Sequence, residues 1–296
     1  MAVGIDIGSY SIKLIELQEK KGKLELLKYA TNLVSGDDIK TSLKDILSLS
    51  KLSSKRVNVS LSGPSVIVRY IEMPPMKREE LMSAIKFEAE KYIPFDIKEA
   101  IVDCAVLDKG PSGNTNRILL VAAKKEKVNS YMEIFKEQGI DISSIDVDTT
   151  AIFNAFQRTG QEAKQESVYA MVDIGAKFSN MNIITKGQLY FTRDILWGGM
   201  DAGNAETPVF EKFVSEIRMS FDYFETQFGK NVERFYISGG GSYLLNIRDF
   251  LKENLSMDVI LWNPFDGIKI PDEANSKEAR DFPAQFAVAV GLALRK

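Results

Sequence analysis

The chain has no histidine among its 296 residues. That absence removes Ser-His and Cys-His nucleophilic catalysis together with the commonest metal ligand, so zinc enzymes and histidine-dependent hydrolases are excluded. The single cysteine, Cys104, cannot close an internal disulfide. It lies in an alternating apolar run and reads as a small packed side chain in a protein of a reducing compartment. Basic excess is missing as well: 38 Lys and Arg face 41 Asp and Glu, for a net charge of −3, which leaves no electrostatic footprint for nucleic acid. No apolar run approaches the ~20 residues of a membrane span. The N-terminus carries Asp6, Lys13 and Glu16 and so lacks the apolar centre of a signal peptide. The expectation is a cytoplasmic protein that inserts into no membrane and meets one only through partners.

What the chain does have is a repeated motif. Asp-Ile-Gly occurs at Asp6-Ile7-Gly8 and again at Asp173-Ile174-Gly175, each time closing an apolar run and opening a hairpin that turns at Lys21-Gly22 or Lys186-Gly187. A third glycine cluster follows at Ser238-Gly239-Gly240-Gly241. Glycines let backbone N–H groups approach an oxyanion, neighbouring hydroxyls add donors, and an aspartate can hold a magnesium-bound water. The pattern is that of a phosphate clamp without a Walker loop, built from two similar halves that face one another. Each piece alone has a plainer reading, a glycine after a strand being most often a turn; the ordered triple favours the cleft.

The apolar spacing predicts strands at 3–7, 12–17 and 24–30, a helix over 37–50 with Ile39, Leu43, Ile46 and Leu47 on one face, and a strand at 56–61. A module then follows: a strand at 66–73, a helix over 77–92, strands at 100–107 and 117–123 around a polar loop, and a helix over 125–138 ending at Gly139. Phe87, Tyr92 and Phe95 in this module read as core residues or, alternatively, as the lining of a partner's groove. Beyond it, a short strand runs into a helix near Thr149, and a polar linker at 157–166 leads to the second half. There the spacing predicts strands at 168–174, 180–185, 188–193, 233–238 and 258–262, with helices over 209–228, 242–254 and 284–295, the last apolar nearly all round and therefore buried.

The ordered set of DIGS, KYIPFD, DIGA, FTRD, SGGG, NPF and a closing GLALR helix resembles the PilM family of type IV pilus assembly proteins, which are actin-like ATPases related to the division protein FtsA. The resemblance implies an α/β, actin-like (ribonuclease H-like) fold of two domains with an inserted FtsA/PilM-type module. The first domain would take 1–61, 141–166 and 283–296, the module 62–140, and a reduced second domain 167–282. It further implies ATP or ADP with Mg²⁺ as cofactor. Gly8, Ser9, Tyr10, Ser11 and Lys13 match the first phosphate loop; Asp173, Gly175 and Ser179 match the second; and Gly239, Gly240 and Gly241 match the loop along the adenosine. Asp6 and Asp173 would hold magnesium through water. Asp148 is the candidate for orienting the attacking water, although Asp146 and Asp148 serve equally well as caps for the following helix. The implied partners are the N-terminal cytoplasmic peptide of a PilN-like inner-membrane pilus protein, held in a groove beside the module, and the pilus motor and platform proteins.

The chain departs from the family between Gly198-Gly199 and Val209, where only MDAGNAETP stands in place of a helical subdomain that approaches ribose and base. A sugar-kinase reading would need a catalytic base and a sugar-binding domain, and no segment resembles either. An FtsA-like filament former would carry an amphipathic tail beyond the core, whereas the sequence stops at Leu294-Arg295-Lys296. The reading that stands is a pilus or related type II secretion scaffold with weak or absent ATPase activity.

Overall fold

The computed structural model describes residues 1–34, 38–109, 113–159, 167–203, 209–271 and 280–295. The chain separates into two units, one of residues 1–60 with 138–296 and one of residues 61–137.

The larger unit opens with a meander, β1 (Ala2–Ile7), β2 (Ser11–Lys20) and β3 (Lys23–Leu33). Lys21 and Gly22 both have positive φ, 52° and 76°, the conformation that lets a two-residue hairpin follow the strand twist. Helix α1 (Ile39–Ser50) starts where the Asp38 carboxylate accepts the Thr41 N–H at 2.9 Å, and it buries Leu43 and Ile46. It leads to β4 (Arg56–Leu61), which lies parallel to β1.

The smaller unit has β5 (Val66–Met73), α2 (Arg78–Ala89), β6 (Ala100–Lys109), β7 (Asn116–Lys124) and α3 (Lys125–Glu137). Its sheet runs β5-β7-β6, and Leu81, Ile85 and Ala89 of α2 pack on Ile71, Met73, Ile118 and Leu120. Cys104 is half-buried there, its Sγ 3.8 Å from Met82 Sδ. The helix predicted over 77–92 ends at Ala89. Pro94 disfavours helical geometry at Ile93, and the chain leaves in a turn whose Tyr92 N–H donates to the Ala89 carbonyl. The core reading of the aromatics is therefore corrected for two of them: Phe87 is 73% exposed and Tyr92 39%. Phe95 is half-buried, with Lys124 Nζ 5.5 Å above its ring.

The chain returns to the larger unit through β8 (Asp141–Val147) and α4 (Asp148–Thr159). A second meander follows, β9 (Val168–Ile174), β10 (Ser179–Thr185) and β11 (Gln188–Ile195), again turning through two positive-φ residues, Lys186 and Gly187. Helix α5 (Glu211–Phe228), β12 (Arg234–Ser238), α6 (Ile247–Leu255), β13 (Val259–Leu261), β14 (Ile268–Lys269) and α7 (Ala287–Ala293) complete it. The two sheets read β14-β3-β2-β1-β4-β8 and β11-β10-β9-β12-β13. Setting aside the β14 edge, they share one order, a meander followed by a strand parallel to its first member. The duplication legible in the motifs is thus a duplication of sheets.

Alternation along β9 divides its side chains. Val168, Ala170, Val172 and Ile174 enter a core with Phe213, Val214, Ile217 and Phe224 of α5, where Trp197 stacks on Phe213 at 4.2 Å. Tyr169, Met171 and Asp173 point the other way, toward α4, where Phe156 meets Tyr169 at 6.1 Å and Tyr236 at 5.1 Å. Helix α7 is buried throughout because it lies between β1 and α4. A β carbon on Gly4 would fall 2.2 Å from the Ala289 carbonyl oxygen, and one on Gly291 only 1.8 Å from that of Ala151.

Three further boundaries differ from the sequence expectation. The helix predicted over 242–254 is broken by Asn246 in the left-handed region, φ 62°, leaving a 3-10 turn at Gly240–Tyr243 before α6. The last helix begins as a 3-10 turn at Pro283–Phe286. The two-residue β14 beside β3 is too short to carry a periodic signal. The 160–166 part of the predicted linker lies outside the described residues, as do Asn204 to Pro208 and the start of the helix predicted over 37–50.

Gly291→Ala should therefore be severely destabilising, by about 3 kcal/mol or more, since backbone must move to admit one methyl group. Gly113→Ala, in open space, should cost about 1 kcal/mol for its backbone conformation alone. Urea denaturation of the two variants checks the difference.

Candidate functional site

Asp6 lies at the end of β1, directly across from Lys13 on β2. Lys13 Nζ donates to Asp6 Oδ2 at 3.0 Å, with both side chains largely buried. Between them the turn is closed by the Gly8 N–H donating to the Ser11 carbonyl at 3.1 Å. Ser11 is buried, Ser9 half-buried, and Tyr10 stands exposed at the tip. A β carbon on Gly8 would lie 3.0 Å from Lys13 Nζ, so the missing side chain is what leaves the ammonium approachable.

Asp173 holds the same position in the second meander, but its cross-strand partner is Asn180. Its Oδ1 accepts from Ser238 Oγ at 2.8 Å, because β12 runs parallel to β9 with Ser238 in register with Asp173. The third glycine cluster is thereby docked on the second Asp-Ile-Gly. Gly239 has φ 81°, and a β carbon there would sit 2.4 Å from the Ile174 carbonyl oxygen; on Gly241 it would sit 2.4 Å from Ile174 Cγ2. Gly240 alone faces open space, with nothing within 4 Å of such an atom. Gly175 and Ala176 accept from the N–H groups of Gly199 and Met200 at 2.8 and 2.9 Å, which ties the Gly-Gly turn to the second loop.

The two loops form one electrostatic site. Burial by itself would lower the pKa of Lys13, but the adjacent Asp6 carboxylate, with weaker help from Asp173 and Asp148, holds it above its usual range. Asp173 is pushed up to about 6, first by burial and then by the negative charge of Asp6, against the Ser238 hydrogen bond and the Lys13 charge. One ammonium thus faces carboxylates from both hairpins and from the start of α4.

Not every sequence candidate joins this cluster. Ser179 is fully buried and its hydroxyl donates to the Trp197 carbonyl at 2.8 Å, so it fastens β10 to the segment after β11 and offers nothing to a phosphate. Asp146 accepts from the Val147 N–H at 2.9 Å, from the Thr150 hydroxyl and from Arg295. With Asp146 so engaged at the start of α4, half-buried Asp148 is the residue that acts on Lys13. Phe87, Tyr92 and Phe95 belong to the smaller unit. Two contributors escaped the sequence reading. One is the Ser238 hydroxyl. The other is Asn180, whose amide donates to Thr149 Oγ1 at 3.0 Å and to Asp194 Oδ1 at 2.8 Å. Aligning the hairpins on their aspartates would have found it, since Asn180 stands seven residues after Asp173 as Lys13 does after Asp6.

A family model described as type IV pilus assembly protein PilM matches residues 4–207 and 203–296. A solved PilM-PilN type IV pilus biogenesis complex contains a chain 24% identical, with a TM-score of 0.88 over 99% of this chain and 98% of that one. A Bacteroides thetaiotaomicron protein of actin-like ATPase fold and unknown function is 14% identical, TM-score 0.54, over 94% and 93%. The cytoplasmic domain of EpsL, an inner-membrane component of the Vibrio cholerae type II secretion system, is 14% identical, TM-score 0.51, over 93% and 87%. The fold is actin-like.

Because the folded state holds the Asp173 proton more tightly than the unfolded chain, which releases it near 3.8, folding takes up a proton between these values. The contribution is most favourable below pH ~4, declines as pH rises through about 6, and stays unfavourable above. Asp173→Asn should remove that penalty and raise stability at pH 7 by roughly 2–3 kcal/mol, with no gain at pH 4. Denaturation of both proteins across pH 4–8 measures it.

Proposed function

The chain belongs to the type IV pilus assembly protein PilM family, and from that premise we propose that it is a cytoplasmic actin-like scaffold of the pilus assembly machine. It captures the N-terminal cytoplasmic peptide of a PilN-like inner-membrane protein, couples it to motor and platform proteins, and carries a cleft for MgATP or MgADP. The observation that carries the reading is the family match across both halves of the chain. Among the described residues no helix is long and apolar enough to cross a membrane, so a membrane protein's tail is the natural link to the inner membrane. The similar solved complex pairs PilM with PilN. EpsL has the same fold in a cytoplasmic domain of an inner-membrane component.

The residues of the cleft fit a magnesium-bound phosphate chain. Lys13 supplies the cation, and the missing β carbon of Gly8 leaves it reachable. Among the described residues no cluster of three or more carboxylate, thiol or imidazole groups could cage a metal directly, so Asp6 and Asp173 act on magnesium through its water shell. The loops at Gly8 and Gly175, with Lys13, would hold the phosphates of a nucleotide, whose negative charge would offset the ammonium. Asp148, at the start of α4, is the group positioned to orient a water, and without a strong general base turnover is slow or absent. Asp6→Ala should abolish binding of ATP and ADP by calorimetry; unchanged affinity would leave the cleft a relic of ancestry.

On the smaller unit, Phe87 and Tyr92 offer exposed aromatic surface beside the Ile93-Pro94-Phe95 turn, suited to an extended apolar peptide. Phe87→Ala with Tyr92→Ala should weaken binding of a synthetic N-terminal peptide of the inner-membrane partner about tenfold or more, while melting temperature stays nearly constant because both side chains are exposed. Full retention of affinity would place the peptide elsewhere.

A further inference from the structure

Independently of the nucleotide cleft and of the smaller unit, we infer that the larger unit carries a second site, which takes an acidic peptide of a partner protein by one or two aliphatic side chains. A cavity of about 710 Å³ opens where the C-terminal ends of α4 and α7 meet the start of β1, the end of β2 and the start of β3. That volume lies within the ~300–1,000 Å³ of ligand sites. Leu17, Leu24 and Ala293 give it a buried aliphatic lining. Asn154 adds an amide, and Glu19 and Arg158 add an ion pair of 3.2 Å. An aliphatic recess is what an anchoring side chain fills, and an amide can both give a hydrogen bond to a peptide backbone and take one from it.

The occupant's charge follows from the hairpin that supplies part of the lining. Between two lining residues, Glu19 and Leu24, the turn carries Lys20, Lys21 and Lys23, all exposed. Glu19 is matched by Arg158, and Glu25 by Lys269 at 3.0 Å with Lys20 nearby. Five cations thus stand against two carboxylates along this hairpin, in a chain whose net charge is −3. The local excess attracts carboxylates over a screening length of ~10 Å at 0.1 M salt. An anionic bilayer would answer the charge but not the shape. Leu17 and Leu24 are only 2% and 8% exposed, so a flat surface does not reach the aliphatic lining, whereas the projecting side chains of a peptide do.

Fluorescence anisotropy of labelled hexapeptides with the whole protein tests this. The probes are Asp-Glu-Leu-Leu-Glu-Asp, the same peptide with alanine for leucine, and the same peptide with lysine for every acid. The first should bind about tenfold or more tightly than either of the others, and its binding should weaken several-fold as salt rises to about 0.5 M. Lys20→Glu with Lys23→Glu should lower that affinity about tenfold at an unchanged melting temperature, since both side chains are exposed. Ala2→Phe, which brings a ring into the cavity from the half-buried start of β1, should lower it as well. No binding of the first peptide, equal binding of all three, or an affinity that neither variant changes overturns the proposal. So does sedimentation with vesicles of phosphatidylcholine and phosphatidylglycerol that the lysine variant abolishes and the acidic peptide fails to compete, because the basic turn would then serve a membrane.

Discussion

The seat of α7 between β1 and α4 is the constraint on which the larger unit depends. At Gly4 and Gly291 the contact is backbone against backbone, closer than any side chain permits, and it brings the sheet that carries Asp6 and the helix that begins at Asp148 to a fixed separation. A buried amide adds direction. Asn58 donates to the Leu292 carbonyl at 3.0 Å and accepts from Ser144, so α7, β4 and β8 are locked in register around the same helix. Apolar surface supplies most of the energy of this packing, but the two glycines set its distance. Helix α4 then meets the second sheet through Phe156 and through Thr149, which carries the spacing across to Asp173.

Holding the loops so close has an electrostatic cost that the fold retains. Asp6, Asp148 and Asp173 surround a single ammonium in a site largely withdrawn from water, and desolvated like charges oppose ionisation. A structure shaped for stability alone would neutralise Asp173 with an amide. Asp173 is instead a carboxylate held by Ser238, an ionisable group with the strongly shifted pKa that marks candidate functional sites. The Asp6 and Lys13 pair fits the same account, since cross-strand pairing holds the ammonium where Gly8 leaves it open.

The parts that were legible in the sequence are those in which local chemistry and tertiary demand agree. Lys-Gly turns needing positive φ, alternating strands and an all-apolar last helix each determine their own local geometry, and the repeated Asp-Ile-Gly gave away the duplicated sheets. The misreadings arose where tertiary contacts override spacing. Tyr92 continues the α2 stripe by number, but Pro94 ends the helix first. Ser179 has the right residue type at the right distance from Asp173, but strand alternation turns it into the sheet's interior, where Trp197 takes its hydroxyl. Spacing also gives no hint that Asn246 would adopt φ 62° and split a helix.

The two hairpins are alike in register and unlike in chemistry, and the difference assigns their work. At the position facing the aspartate, the first has Lys13 and the second Asn180. Lysine brings charge and reach, which suits a phosphate. The Asn180 amide is instead spent on Thr149 and Asp194, while its own oxygen accepts from Asn182 at 2.8 Å and Thr149 meets Thr192 at 3.2 Å. Unlike a single charge, the Asn180 amide is met at both its nitrogen and its oxygen by protein groups from α4, β10 and β11, although Asn182 Oδ1 is left without a partner among the described residues, so the Asn180 amide joins the first half to the second. A buried amide bonded at both ends, as that of Asn180 is, rigidifies what it joins. The one repeated position facing the aspartate therefore gives the first hairpin a largely buried ammonium and the second an amide that ties α4 to the second sheet, so two hairpins alike in register differ in what they hold.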